Sequence, residues 1–121
     1  LLRAGVPVNN QSVLLRGIND SLEIQRTLCR DLLRIRVRPY YLHQCDRVEG
    51  TEHFRTPVET GIEIIQGMQG SVSGLAVPRF VVDLPGRGGK VPLQPGHLEK
   101  SDGSRAVIRD LCGKRHTYEN P

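Results

Sequence analysis

The sequence predicts an α/β fold, and three observations carry that expectation. Stretches with strand-like and helix-like apolar periodicity alternate from the first residues to about residue 83. Gly, Asn, Asp or Pro stands at nearly every junction between them. The connecting stretches are long enough for crossovers, so strand, helix, strand, helix, strand implies parallel strands in one α/β layer.

Residues 6–15 read as the first strand, ending in the apolar run Val13-Leu14-Leu15, with Gly17 and Asn19 breaking it. Asp20 is a good helix N-cap and Glu23 follows three residues later, the pattern of a capping box. Ile24, Leu28, Leu32 and Ile35 then place one apolar face on a helix over about 21–35. Residues 38–43 read as the second strand, closed by Gln44-Cys45-Asp46, and a polar loop runs over 47–55. Thr56-Pro57-Val58-Glu59 offers a cap, a proline at the first helical position and a glutamate at the third. Val58, Ile62 and Ile65 share a face of that second helix, which Gly67 or Gly70 ends. Residues 77–82 are a third strand. Pro92 and Pro95 forbid a long helix after Lys90, and the tail holds one more strand over 105–111.

Composition sets limits on these elements. Only 37% of the residues are hydrophobic, and the aromatics are three Tyr and two Phe, so the core is thin. Thirteen Gly and eight Pro make the chain loop-rich. Cys29, Cys45 and Cys112 are an odd number at wide spacing, which is neither a disulfide framework nor a CxxC metal pair. Reduced thiols in a cytoplasmic protein fit that usage. No run approaches the roughly 20 apolar residues that cross a bilayer, and no leader is visible. The chain starts at Leu1 without an initiator Met, as a segment of a longer or processed protein would. The net charge is +4, and Arg26, Arg30 and Arg34 recur at i, i+4 along one helix stripe. With no aromatics interleaved, that stripe reads as a solvated face beside Glu23 and Asp31, not as a nucleic-acid surface.

In α/β layers ligands sit at the C-terminal ends of the strands. Three such ends carry polar residues: Arg16 with Asn19, His43 to Asp46, and Asp83 with the glycine-rich run to Lys90. Asp46 and Asp83 at neighbouring strand ends can clasp one ammonium group or work as an acid/base pair, and each can equally cap the turn that follows it. Lys90 ends Pro85-Gly86-Arg87-Gly88-Gly89. The run matches neither GxxxxGK[ST] nor a GxGxxG that opens a helix. What remains is an imine-forming amine beside a side-chain-poor loop, or a solvated surface lysine. His43 is a ligand, a base, a stacking ring or a satisfied structural residue. His53, His97 and His116 have no metal-ligand spacing, and Cys45 has no base partner for a nucleophilic role.

Taken in order, Asn10 to Asp20, Pro39 to Asp46, Gly50 through His53-Phe54-Arg55, Ser73-Gly74 through Val77-Pro78, and Val81 to Gly86 through Gly89-Lys90 resemble the C-terminal portion of the lysine 2,3-aminomutase family. These are radical S-adenosylmethionine enzymes that also use pyridoxal phosphate. The resemblance implies that residues 1–83 are later β/α units of a partial TIM-like barrel. Residues 84–121 would then be the pyridoxal-phosphate lysine loop and a loop-rich C-terminal extension. It implies that Lys90 is the catalytic lysine that binds pyridoxal phosphate, flanked by His43, Gly88 and Gly89. It further implies that Asp46 and Asp83 grip the side-chain ammonium of L-lysine during a radical 1,2-amino shift, in a homo-oligomer without nucleic-acid or membrane partners.

The sequence also departs from the family pattern. The CxxxCxxC triplet that would hold a [4Fe–4S] cluster is not among these residues, so the segment alone is expected to be inactive. Ser21 stands where some relatives carry a zinc-ligand Cys, which makes a structural zinc doubtful, and no metal ligands are assigned. Arg87 interrupts the usual all-glycine run. The other readings are a related aminomutase acting on another or a protein-bound amino acid, and a non-catalytic, self-associating segment.

Overall fold

A computed structural model describes all residues from Leu1 to Pro121. The order is β1 (Val8–Leu14), α1 (Leu22–Arg34), β2 (Val37–Gln44), α2 (Val58–Met68), β3 (Arg79–Leu84), β4 (Gly89–Pro92), β5 (Leu98–Ser101), β6 (Arg105–Arg109) and β7 (Arg115–Glu119). One sheet has the order β1-β2-β3-β4, with β1, β2 and β3 parallel and β4 antiparallel to β3. A second, antiparallel sheet is the meander β5-β6-β7. The α/β expectation therefore holds as a mixed α/β fold. The first sheet stays open, with β1 and β4 as its edges, and no closed barrel is formed.

The tail differs most from expectation. In place of a loop-rich extension with one strand it supplies four short strands. They are too short and too exposed to show a clear period-2 apolar pattern: every residue of β5 and β7 is exposed. Turn chemistry defines this meander instead. The Asp102 carboxylate accepts from the Ser104 and Arg105 backbone N–H groups, and Asp110 accepts from those of Cys112 and Lys114. His97 docks the meander on the first unit, through its Nδ1 to the Arg109 carbonyl at 2.8 Å and its Nε2 to Gln69 at 3.2 Å.

These turn acids make the meander acid-sensitive. The Arg115 guanidinium holds the Glu99 carboxyl below its ordinary 4.5. The Arg105 amide does the same for Asp102, and the His116 ring for Asp110, each from an ordinary 3.8. A depressed carboxyl stabilises the fold above its unfolded value, and that contribution is lost as pH falls through the lower folded value. Amide protection factors over residues 98–119 are therefore expected to fall below about pH 4, ahead of those in β1 to β3. An equal fall in both would contradict this.

Local physics also moves the helix signals by one residue. Ser21, not Asp20, caps α1, accepting from the Ile24 N–H at 3.2 Å, because Asp20 is occupied by the Gly17 N–H. Thr56 does not cap α2. Its hydroxyl is buried without a partner while its carbonyl takes the Gln44 amide at 2.7 Å, and Pro57 holds the cap position. Gly67 lies inside α2, and Gly70, at φ +78°, follows its end.

The inward face of α1 is likewise rotated from the one expected. Gln25 and Cys29 are buried, while Ile24 and Ile35 are 46% and 60% exposed. Gln25 tolerates burial because its amide donates to the Asn19 carbonyl, so no polar group is stranded. Nothing covers the apolar stripe left outside. The arginine stripe has a structural use. Arg26 donates to Ser71 Oγ and the Gly67 carbonyl, and Arg30 to the Ser71 carbonyl, so both serve the C-terminal end of α2 where cations are favoured.

The helices cover one face of the first sheet. The core between them is Leu14, Cys29, Leu42, Ile64, Ile65, Met68, Ala76 and Phe80. Burial pushes the Cys29 thiol up to about 11, as suits a packed and unreactive cysteine. The opposite face of the sheet, on which Val81 is nonetheless buried, carries the chemistry-bearing side chains.

Candidate functional site

A bulge sets the side-chain phase of the site. Asn10 pairs with Pro39, and the next pair is Gln11 with Tyr41, so Tyr40 is left over. Pro39 has no N–H to give the ladder, which is where a bulge costs least. From there, period-2 alternation sends Leu42 and Gln44 to the helices and Tyr41 and His43 to the open face. Gln11 joins them from β1, opposite Tyr41.

β3 and β4 form a hairpin whose turn is the glycine-rich run. Gly86 and Gly89 have φ values of +68° and +72°. A Cβ on Gly88 would stand 2.5 Å from Leu84 Cβ, so a side chain is excluded there for packing. Asp83 and Lys90 are directly opposed in this hairpin. The expected loop lysine is therefore a strand residue facing the aspartate seven positions earlier. Arg87 sits in the turn, is exposed, and forms no ion pair.

Asp83 and Lys90 nevertheless form no ion pair with each other. The Lys90 Nζ lies over the Tyr41 ring, 4.7 Å from its centroid. Asp83 Oδ2 lies 3.9 Å from His43 Nδ1. His43 Nε2 meets Gln11 Oε1 at 2.9 Å. Tyr40 stacks on Tyr41 with centroids 4.1 Å apart, and its hydroxyl pushes the Tyr41 phenol above its ordinary range.

Asp46 follows the end of β2. It lines a cleft of about 620 Å³ together with Cys45, Arg47, Arg55 and Asp83. No cation of the chain pairs with the Asp46 carboxylate, and neither it nor Asp83 caps the turn that follows. Both carboxylates border the same cleft. Arg55 is tethered by its Nε to the Cys45 carbonyl at 3.2 Å. A second cleft, about 420 Å³, lies at the opposite ends of the strands; Arg38 and Arg79 line it without any carboxylate, so it is no place for an ammonium group.

The structure thus brings Asp83, Lys90 and His43 to one end of the open face, with Asp46 just beyond β2 and Gly88 and Gly89 at the adjoining hairpin turn. Sequence reasoning missed Tyr41 and Gln11. Tyr41 was legible, since it precedes His43 by two and shares its face, whereas Gln11 depends on a register that only the bulge sets. Ser21, by contrast, is a helix cap. No three His, Cys, Asp or Glu side chains converge, and Cys29 and Cys45 are buried while Cys112 is exposed far along the chain. An iron–sulfur cluster does not fit on these residues. A pyridoxal group does fit: Lys90 offers an accessible primary amine, and the Cβ directions of Gly86 and Gly89 point into open space.

The family model for lysine-2,3-aminomutase matches residues 65–121, which hold β3, the glycine run and Lys90. The whole chain is 54% identical to the L-lysine 2,3-aminomutase of Fusobacterium nucleatum. The chain matches the C-terminal portion of the lysine 2,3-aminomutase family. Identity is 51% over all 121 residues to the L-lysine 2,3-aminomutase of Clostridium subterminale. It is 45% over 114 residues, 94% of the chain, to the glutamate 2,3-aminomutase of Clostridioides difficile, of which 27% is covered. The chain spans 28% of the Fusobacterium protein and 29% of the Clostridium subterminale protein, aligning with the C-terminal portion of this family. No helix is long and apolar enough to cross a membrane.

Proposed function

We propose that these residues are the C-terminal part of an enzyme that moves the α-amino group of L-lysine to its β-carbon. The observation that carries this reading is the cleft shared by Asp46 and Asp83, with Lys90 opposite Asp83. Two carboxylates without a cation of their own suit one ammonium group, such as the side-chain terminus of lysine. Lys90 is the residue that would hold pyridoxal phosphate, with Gly88 and Gly89 beside it; Gly89 borders open space, whereas Gly88 is packed against Leu84. His43 borders the same space.

When bound, that cofactor supplies a conjugated π-system next to the migrating nitrogen, and the protein's share is placement. Asp46 and Asp83 fix the far end of the substrate, so the carbons near its amino group are held in register with Lys90. S-adenosylmethionine and a [4Fe–4S] cluster belong, on this reading, to residues outside this segment. In the complete protein β1 to β3 serve as later staves of a partial TIM-like barrel, with the open face toward its interior. The uncovered stripe of α1 and the free edge of β1 face its neighbouring units. Association into a homo-oligomer in the cytoplasm completes the reading.

The test is conversion of L-lysine to its β-amino isomer by the complete protein with its iron–sulfur cluster, supplied with pyridoxal phosphate, S-adenosylmethionine and a reductant. Product from lysine supports the proposal. Product from glutamate alone would replace lysine with an acidic substrate read by Arg47 and Arg55, which line the same cleft.

A further inference from the structure

Opposite charges directly across an antiparallel pair ordinarily attract and pair. Asp83 and Lys90 occupy such positions and stay apart. Each faces something else on the open face: Lys90 Nζ lies over the Tyr41 ring, 4.7 Å from its centroid, and Asp83 Oδ2 lies 3.9 Å from His43 Nδ1, within reach of charge attraction but beyond a hydrogen bond. We infer that Gln11, His43 and Tyr41 form a spacer that keeps the carboxylate and the amine of this site from neutralising each other. This deepens the proposed function and rests on its reading of Lys90 and Asp83.

The chemistry of the spacer follows from its donors. Gln11 is uncharged, and its amide can present oxygen or NH2 to His43 Nε2 by a half-turn. With the NH2 toward Nε2, the neutral ring carries its proton on Nδ1, facing Asp83; with the oxygen there, Nε2 holds the proton and Nδ1–H exists only in the imidazolium. The His43 side chain is only 19% exposed, against 47% for Asp83, so the ring is the fixed partner and the carboxylate the adjustable one. Charged or titratable groups reach His43 from Asp83 on β3 and from Tyr41 on its own strand at 5.6 Å. Lys90 on β4 is turned onto Tyr41. One Asp83 oxygen thus stays free for an incoming ammonium, and the Lys90 amine stays free of a carboxylate. Neither Gln11 nor His43 touches the reacting atoms on this account; both are positioning residues.

The spacer is tested without turnover, by the rate at which acetic anhydride acetylates Lys90 in the complete protein freed of pyridoxal phosphate. Lys100 and Lys114 in the meander serve as internal references. His43→Phe frees Asp83 to pair with Lys90, and slowing of about fivefold at Lys90 alone is expected, the size of one exposed ion pair. Adding Asp83→Asn restores the rate, and His43→Asn, whose amide replaces Nδ1, keeps it near wild type. An unchanged rate in His43→Phe, or slowing that persists with Asp83→Asn, would overturn the inference. Failure of the substrate reading appears elsewhere, as absent conversion of lysine with the acetylation pattern intact.

Discussion

Lys90→Ala abolishes the visible absorbance that pyridoxal phosphate gains on binding the complete protein. The effect is expected to be all or none because an amine is required and no second one among these residues is placed to substitute. Lys100 and Lys114 lie on the far meander, on β5 and in the turn before β7. Lys90→Arg separates chemistry from charge. The guanidinium keeps the cation over Tyr41 but is not a usable nucleophile at any ordinary pH. Loss in both variants identifies a covalent role, whereas retention in Lys90→Arg would reduce Lys90 to an electrostatic contact. Since the side chain is exposed on an edge strand, thermal stability should move little.

Phe80→Ala is the substitution with the largest expected effect on stability. Phe80 is fully buried on the face of β3 that meets α2, and its ring lies against Gly61 so closely that a Cβ there would run into it. Removing the ring leaves a cavity that α2 cannot close without shifting as a unit, at a cost of about 3–5 kcal/mol. That is a large share of the 5–15 kcal/mol typical of a domain. The urea midpoint should fall with little change in slope. Gly61→Ala probes the same contact from the other side. Helix propensity favours alanine by about 1 kcal/mol, but displacing a buried ring costs about 1–3 kcal/mol, so the sum is destabilising. A stabilised Gly61→Ala would mean that the ring is not held there. The same strand carries Asp83 three residues on, so a loosened Phe80 should also weaken whatever Asp83 binds.

What was legible follows from how strong each signal is against its competitors. β1, α1, β2 and α2 have long apolar runs and clear punctuation, and each lies within two residues of its expected bounds. Caps were harder, because Asp20 and Ser21 are both good caps and only tertiary use of Asp20 by Gly17 decides between them. The face of α1 was misread because apolar periodicity picks Ile24 and Ile35, while the sheet accepts Gln25 once Asn19 satisfies it. Of the meander only β6 was legible, as the strand expected over 105–111, because β5 and β7 are wholly exposed. At the site, Asp46, Asp83 and Lys90 stood out through the resemblance. Their relation did not, since the opposition of Asp83 and Lys90 needs the hairpin register, and Gln11 needs the bulge.

The account turns on the two carboxylates receiving an ammonium group. The most direct measurement is equilibrium binding of L-lysine and L-norleucine, which lacks the terminal nitrogen, to the complete protein and its Asp46→Asn and Asp83→Asn variants. Loss of one charge-assisted contact of about 1.5–3 kcal/mol should weaken lysine roughly 10- to 100-fold in either variant and leave norleucine nearly unchanged. A lysine affinity that both variants share with wild type would contradict the account.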